Sequence, residues 1–154
     1  MLKVILKDGL GIEKTYMNSD LCFLDTNVLV YAFDKSAGDK QDKARSLVSV
    51  CIRNGSGNLS TQVLQEFYVV ATRKLNIIPE MVKSVITSFY SLDIVSITPA
   101  IILDAIDTEL RWEVSFWDAL ILQSAMVTNC SILYTEDLNH EQMYGNIQVI
   151  NPFL

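Results

Sequence analysis

Leu21-Cys22-Phe23-Leu24-Asp25-Thr26-Asn27 is the stretch on which the fold turns. Four apolar residues run without alternation and stop on an acid followed by two helix-capping residue types. An unbroken apolar run of this length suits a strand covered on both faces of a parallel sheet. The segment after it, Val28–Phe33, reads as a helix, with Asp25, Thr26 or Asn27 as its cap. The same rhythm recurs downstream. Strands are expected at Leu21–Leu24, Asn58–Thr61, Ile94–Thr98, Ser131–Thr135 and Ile147–Ile150. Amphipathic segments lie between them at Asp39–Arg53, Gln62–Leu75, Pro79–Leu92, Pro99–Arg111 and Ser115–Asn129. Strands alternating with helices imply an α/β fold with a mostly parallel sheet flanked by helices on both faces. Asn54-Gly55-Ser56-Gly57 stops a helix, and Pro79 and Pro99 suit first helical turns.

The chain has 154 residues, half of them hydrophobic, which is enough for one domain with a sizeable core. Charged residues make up 19%, against disorder. No apolar run reaches the length of a membrane span, and the N-terminus lacks the pattern of a secretory signal. Cys22, Cys51 and Cys130 are odd in number and widely spaced, as expected for reduced, mostly buried thiols of a cytoplasmic protein. No C-x-x-C pair exists, against a zinc ribbon. The net charge of −6 argues against broad coating of nucleic acid, where phosphate contacts supply the affinity.

Residues 1–20 read as an extension and 21–154 as the domain. The alternation around Leu2, Val4 and Leu6 suggests a strand, and Gly9 and Gly11 follow it. The extension is either an added edge strand or partner-binding arm, or Met17 is the natural start.

Four acids are expected to meet. In an open parallel sheet, ligands bind beyond the carboxyl ends of the strands. Asp25 ends the first strand of the domain and Asp137 follows Ser131–Thr135. The helix holding Asp118 runs back into that strand, so its N-terminus lies at the same edge. Glu66 sits in a helix apolar over most of its circumference. Each acid also has an ordinary reading. Asp25 is a helix cap, and Ser115-x-x-Asp118 resembles a capping box. Asp137 is a turn residue. Glu66 taken alone is better placed on a narrow exposed stripe with Gln62 and Arg73. Taken together, a carboxylate cluster without matching cations is costly unless it holds a divalent metal. Thr135 and Asn27 stand where they could orient these carboxylates. Asp34 and Glu136 are nearer bystanders, and the remaining acids read as surface charge.

Leu24-Asp25-Thr26-Asn27-Val28-Leu29-Val30-Tyr31, Glu66 in its helix, Phe116-Trp117-Asp118-Ala119 and Thr135-Glu136-Asp137-Leu138 resemble the PIN-domain nucleases, in particular the VapC-like toxins of toxin–antitoxin pairs. The resemblance covers Leu21 to Leu154. It implies a five-stranded parallel sheet with the four acids at its carboxyl edge. It further implies Mg²⁺- or Mn²⁺-dependent endoribonuclease activity, frequent homodimers, and an antitoxin that blocks the site. The extension before Leu21 departs from the family pattern.

Hard cations need oxygen ligands, so Asp25, Asp118 and Asp137 are the expected metal ligands, with Glu66 positioning or deprotonating water. Lys35, Lys40, Lys43 and Arg45 are candidate RNA contacts, with a solvated helix face as the ordinary alternative. Arg73 and Lys74 are expected farther away. Tyr31, Phe33 and Trp117 could stack on bases, although core packing is favoured. His140 reads as a surface loop residue. The other functions open to the chain are a non-catalytic partner-binding module of this fold and a housekeeping RNA-processing nuclease. A haloacid-dehalogenase-like phosphatase would want an acid where Asn27 stands. No phosphate-binding G-x-x-x-x-G-K-[ST] loop or G-x-S-x-G elbow is present.

Overall fold

A computed structural model describes residues 4–7, 13–16 and 20–154. Strands β1 (Val4–Lys7) and β2 (Glu13–Tyr16) pair antiparallel in a two-stranded sheet of their own. The sequence readings placed on Gly9, Gly11 and Met17 lie outside the described residues.

The domain then alternates as expected. It runs β3 (Cys22–Leu24), α1 (Thr26–Phe33), α2 (Asp39–Asn54), β4 (Gly57–Ser60) and α3 (Thr61–Arg73). It continues with α4 (Pro79–Ser88), a 3₁₀ turn at Phe89–Ser91, β5 (Asp93–Val95), α5 (Pro99–Trp112) and α6 (Phe116–Val127). It closes with β6 (Ile132–Tyr134), β7 (Met143–Tyr144) and β8 (Ile147–Ile150). The sheet order is β5-β4-β3-β6-β8-β7. The first five of these strands are parallel neighbours, and β7 pairs antiparallel with β8. The expected five-stranded parallel sheet is therefore a six-stranded mixed one. Two residues are too few to show a strand pattern, and Gly145, at φ 58°, supplies the positive dihedral of the two-residue turn joining β7 to β8.

Successive strand residues point to opposite faces. Cys22, Phe23 and Leu24 are all buried, as are Ile132, Leu133 and Tyr134. Both faces of the central strands are therefore covered by helices. α1 packs on α2 and α3, α3 packs on α4, and α5 pairs with α6. Ile101, Ala105, Ala119 and Leu120 make a small apolar cluster between α5 and α6, apart from the main core. Pro79 and Pro99 open their helices as expected, and Gly55 ends α2 in the left-handed conformation at φ 61°. The Pro79 helix is shorter than the apolar periodicity suggests, because the chain tightens into the 3₁₀ turn at Phe89.

The chain leaves β3 for β4 and β5 on one side, then crosses back to β6 and β8 on the other. The reversal falls between β3 and β6, and a crevice opens there at the carboxyl ends of the strands. The Asp25 N–H donates to the Tyr134 carbonyl at 3.1 Å, so the two strand ends remain joined beneath that crevice.

Candidate active site

Asp25 caps α1 and also bonds across the strand ends. Its backbone is extended, and its Oδ1 accepts the Thr26 N–H at 2.6 Å at the start of α1. Its Oδ2 accepts the Thr135 hydroxyl at 2.7 Å. Thr135, just past β6, also accepts the Asp137 N–H and the Asn27 amide, each at 3.1 Å. Asn27 Nδ2 reaches Asp137 Oδ2 at 3.0 Å and, more distantly, Asp25 Oδ2 at 3.3 Å. Thr135 and Asn27 thus tie together the two acids at the ends of β3 and β6. Asp25 and Thr135 are buried, while Asp137 is exposed at the rim.

Glu66 joins from α3. The Thr26 hydroxyl donates to its Oε2 at 2.8 Å, and Gln62 Nε2 donates to its Oε1 at 2.9 Å. The exposed-stripe reading of Glu66 is overturned: Gln62 is 4% exposed, and Glu66 is half-buried against α1. Gln62 also reaches the Trp117 carbonyl at 3.4 Å, linking α3 to the start of α6. There Ser115 caps the helix by accepting the Asp118 N–H at 3.1 Å, and its hydroxyl donates to Asp118 Oδ2 at 2.7 Å.

Asp25 and Asp118 both lie within the field of Asp137 and Glu66. Burial is the main cause that pushes the Asp25 carboxyl up to about 7, and the charges of Asp137 and Glu66 add to it. The Thr135 and Thr26 hydrogen bonds oppose that rise. Asp118 is also raised, first by burial, then by Asp137 and Glu66, with Ser115 opposing. The same two neighbours act on both half-sites.

Among the described residues, no group of three or more His, Cys, Asp or Glu side chains stands close enough together to hold a metal ion. The donors nevertheless suit a hard cation. All are oxygens, and Mg²⁺ uses one or two carboxylates while keeping several waters. Asn27 Oδ1 and Gln62 Oε1 are buried here without a hydrogen-bond partner. Such acceptors are uncommon unless water or an ion completes them.

The candidate RNA contacts are placed less simply. Lys40 pairs with Glu136 at 2.6 Å and lies over the Tyr31 ring, 4.6 Å from its centroid. Lys43 donates to the backbone oxygens of Phe153 and Leu154 at 3.3 and 3.4 Å. Arg45 donates to the Ala32 carbonyl at 2.8 Å. Lys35 lines a groove of about 1000 Å³ that begins at Thr26, Asn27 and Asp137. Lys74, expected to be distant, lines that groove too. His140 is exposed and accepts the Asn151 N–H through Nδ1 at 3.1 Å.

Sequence reasoning missed Thr26 and Gln62 as partners of Glu66, while the capping-box reading of Ser115 with Asp118 holds. Gln62 had a signal, since it stands four residues before Glu66 on one helix face. Glu136 is not idle, because it holds Lys40 and Tyr31. Trp117 is not core: it is 63% exposed.

The chain matches the PIN domain family across residues 22–146 and belongs to that family. Its structure is similar to the VapC20 toxin of Mycobacterium tuberculosis, described as cleaving the sarcin-ricin loop, with a TM-score of 0.64 at 17% identity over 75% of this chain and 89% of that one. It is similar to a toxin–antitoxin complex from Klebsiella pneumoniae, with a TM-score of 0.66 at 17% identity over 86% and 98% of the two chains. VapBC2 from Rickettsia felis, bound to a promoter DNA fragment, gives 0.59 at 20% identity over 84% and 96%. No curated protein sequence matches the chain.

Proposed function

We propose that this protein is a divalent-metal-dependent endoribonuclease and the toxin of a toxin–antitoxin pair. The observation that carries the reading is the joining of Asp25, Asp137 and Glu66 through Thr135, Asn27 and Thr26, with Asp118 sharing their field. A phosphodiester resists attack because it is anionic and its leaving oxygen is poor. Asp25, Asp118 and Asp137 would hold Mg²⁺ or Mn²⁺, which neutralises the phosphate and activates water when bound. Glu66, held by Thr26 and Gln62, would accept the proton of the attacking water. Thr135 and Asn27 keep the Asp25 and Asp137 carboxylates oriented. Lys35 and Arg45, which both line the groove that opens at Asp137, would meet the RNA backbone.

A cognate antitoxin is supported by the neighbouring structures, which include toxin–antitoxin assemblies. Val70, Ile77, Ile78 and Met81 give the groove an apolar floor on which such a partner could rest. A homodimer is supported by apolar side chains left exposed on α5, Leu103 and Leu110 above all, and by Met81 on α4. Among the described residues, no helix is long and apolar enough to cross a membrane. Three free thiols suit the reducing cytoplasm.

The test is incubation of antitoxin-free protein with total RNA in Mg²⁺, Mn²⁺ or chelator, beside Asp25→Asn and Asp118→Asn. Discrete metal-dependent cuts that both variants lack are the expected result. Absence of cuts from folded protein would leave the acids as a binding site and favour the non-catalytic module. A small antitoxin gene beside this one separates toxin from housekeeping nuclease.

A further inference from the structure

We infer that Trp117 is a base-stacking residue that seats an unpaired nucleotide of the RNA beside Asp118; the inference rests on the nuclease reading. A tryptophan exposed to 63% gains little from burial in this fold, although its neighbours in α6 from Ala119 to Leu122 are all buried. It directly precedes Asp118 in the first turn of α6. Gln62, which fixes Glu66, also reaches the Trp117 carbonyl. The Phe116 ring meets the indole edge-on, with centroids 5.4 Å apart and planes at 67°. That contact steadies the ring before any ligand arrives and lowers the entropic cost of binding.

Tyr31, Phe33 and Trp112 are engaged by other side chains, whereas Tyr68 on α3 is partly exposed. Tyr31 bonds Glu136, carries Lys40 and meets Phe153 edge-on. Phe33 packs on Phe67 and Phe89. Trp112 packs on Tyr144. The chemistry of the site makes a stacking residue useful. Four carboxylates repel phosphate, the chain is acidic overall, and Lys40, Lys43 and Arg45 have partners within the protein. Contacts that do not depend on charge would then add to those from Lys35 and a bound cation. Base–aromatic stacking supplies such contacts and tolerates any sequence, because every base has a π-face.

The test compares wild type with Trp117→Phe, Trp117→Leu and Trp117→Ala. Each is titrated by fluorescence anisotropy with a labelled single-stranded RNA oligonucleotide of mixed sequence and with the same backbone carrying abasic positions. Ca²⁺ replaces the catalytic metal, gels confirm that the RNA is intact, and sedimentation reports the oligomeric state. Wild type should prefer the base-bearing strand. Trp117→Ala should bind it about 5- to 150-fold more weakly and lose the preference. Trp117→Phe should keep most of it and Trp117→Leu should not. Two results overturn the inference: equal binding of both strands by wild type, or wild-type affinity in Trp117→Leu. If Trp117→Ala dissociates an oligomer while base-dependent binding persists, Trp117 belongs to a contact between copies instead. Cleavage of total RNA by wild type is scored separately, so a nuclease without a stacking tryptophan is distinguishable from a failed nuclease reading.

Discussion

Thr135 and Asp25, 110 positions apart in the chain, are joined by a hydrogen bond of 2.7 Å from the threonine hydroxyl to the buried carboxylate. A hydroxyl has one proton to donate and two lone pairs to accept with. Thr135 uses all three, giving its proton to Asp25 and accepting from Asn27 and the Asp137 backbone. One side chain therefore sets the separation of two acids that stand on different strands.

Thr135→Val keeps the shape and removes that junction. It leaves a buried carboxylate oxygen and a backbone N–H each short of a partner, at a cost of about 1–3 kcal/mol. Urea denaturation should show a lower midpoint with an unchanged slope, and RNA cleavage should fall. Full stability in the valine variant would mean that Asp25 is held by other contacts.

The pH dependence of the metal-free protein follows from Asp25. Its carboxyl titrates near 7 in the fold, against an ordinary value of 3.8. Between those values the folded protein holds a proton that the unfolded chain has released. The stabilisation is complete below about pH 4 and is lost as pH rises through 7. Asp118, raised as well, works in the same direction. Asp25→Asn should be more stable than wild type at pH 8 in chelator, by on the order of 2–4 kcal/mol. At pH 4 the difference should vanish. Denaturation at the two pH values checks both the size and the sign.

Divalent metal should reverse that penalty. A cation bound only by the folded state at a hundredfold excess over its Kd contributes about 2.7 kcal/mol, or about 5–10 °C in Tm for a domain of this size. Mg²⁺ and Mn²⁺ should each raise Tm, and Asp25→Asn and Asp118→Asn should lose most of the rise. Equal shifts in wild type and both variants would place the cation elsewhere.

Gly57→Ala tests the packing beneath the site. A Cβ there would lie 2.7 Å from Leu92 Cδ2 and 2.9 Å from Cys51 Cβ. Leu92 can swing aside, but Cys51 is held in α2 at the position of its own backbone. The expected loss is about 1–3 kcal/mol with little change in metal response, read from paired melts with and without Mg²⁺.

The central strands β3 and β6 were legible because burial on both faces leaves unbroken apolar runs such as Cys22–Leu24. Asp25 and Asp137 were legible because topology alone sends residues after parallel strands to one edge. Glu66 was legible only in company with the other three acids. Its helix is apolar nearly all round, so periodicity could not say which side met the sheet, and contacts with Thr26 and Gln62 hold it. The cations misled for a related reason. A count of Lys and Arg cannot show that Lys40 is held by Glu136 or Arg45 by the Ala32 carbonyl. Trp117 was assigned to the interior on residue type, and its exposure depends on where α6 begins.

The two margins of the six-stranded sheet have a consequence for how copies of this protein meet. One margin is the three-residue β5, and the other is the two-residue β7, turned antiparallel at Gly145. Neither offers a long row of free backbone donors and acceptors onto which another chain could add a strand. Growth of this sheet from molecule to molecule, the route toward fibrils, is disfavoured at both ends. Around the six-stranded sheet, association falls to the helix surfaces that cover it, where side chains rather than backbone choose the partner.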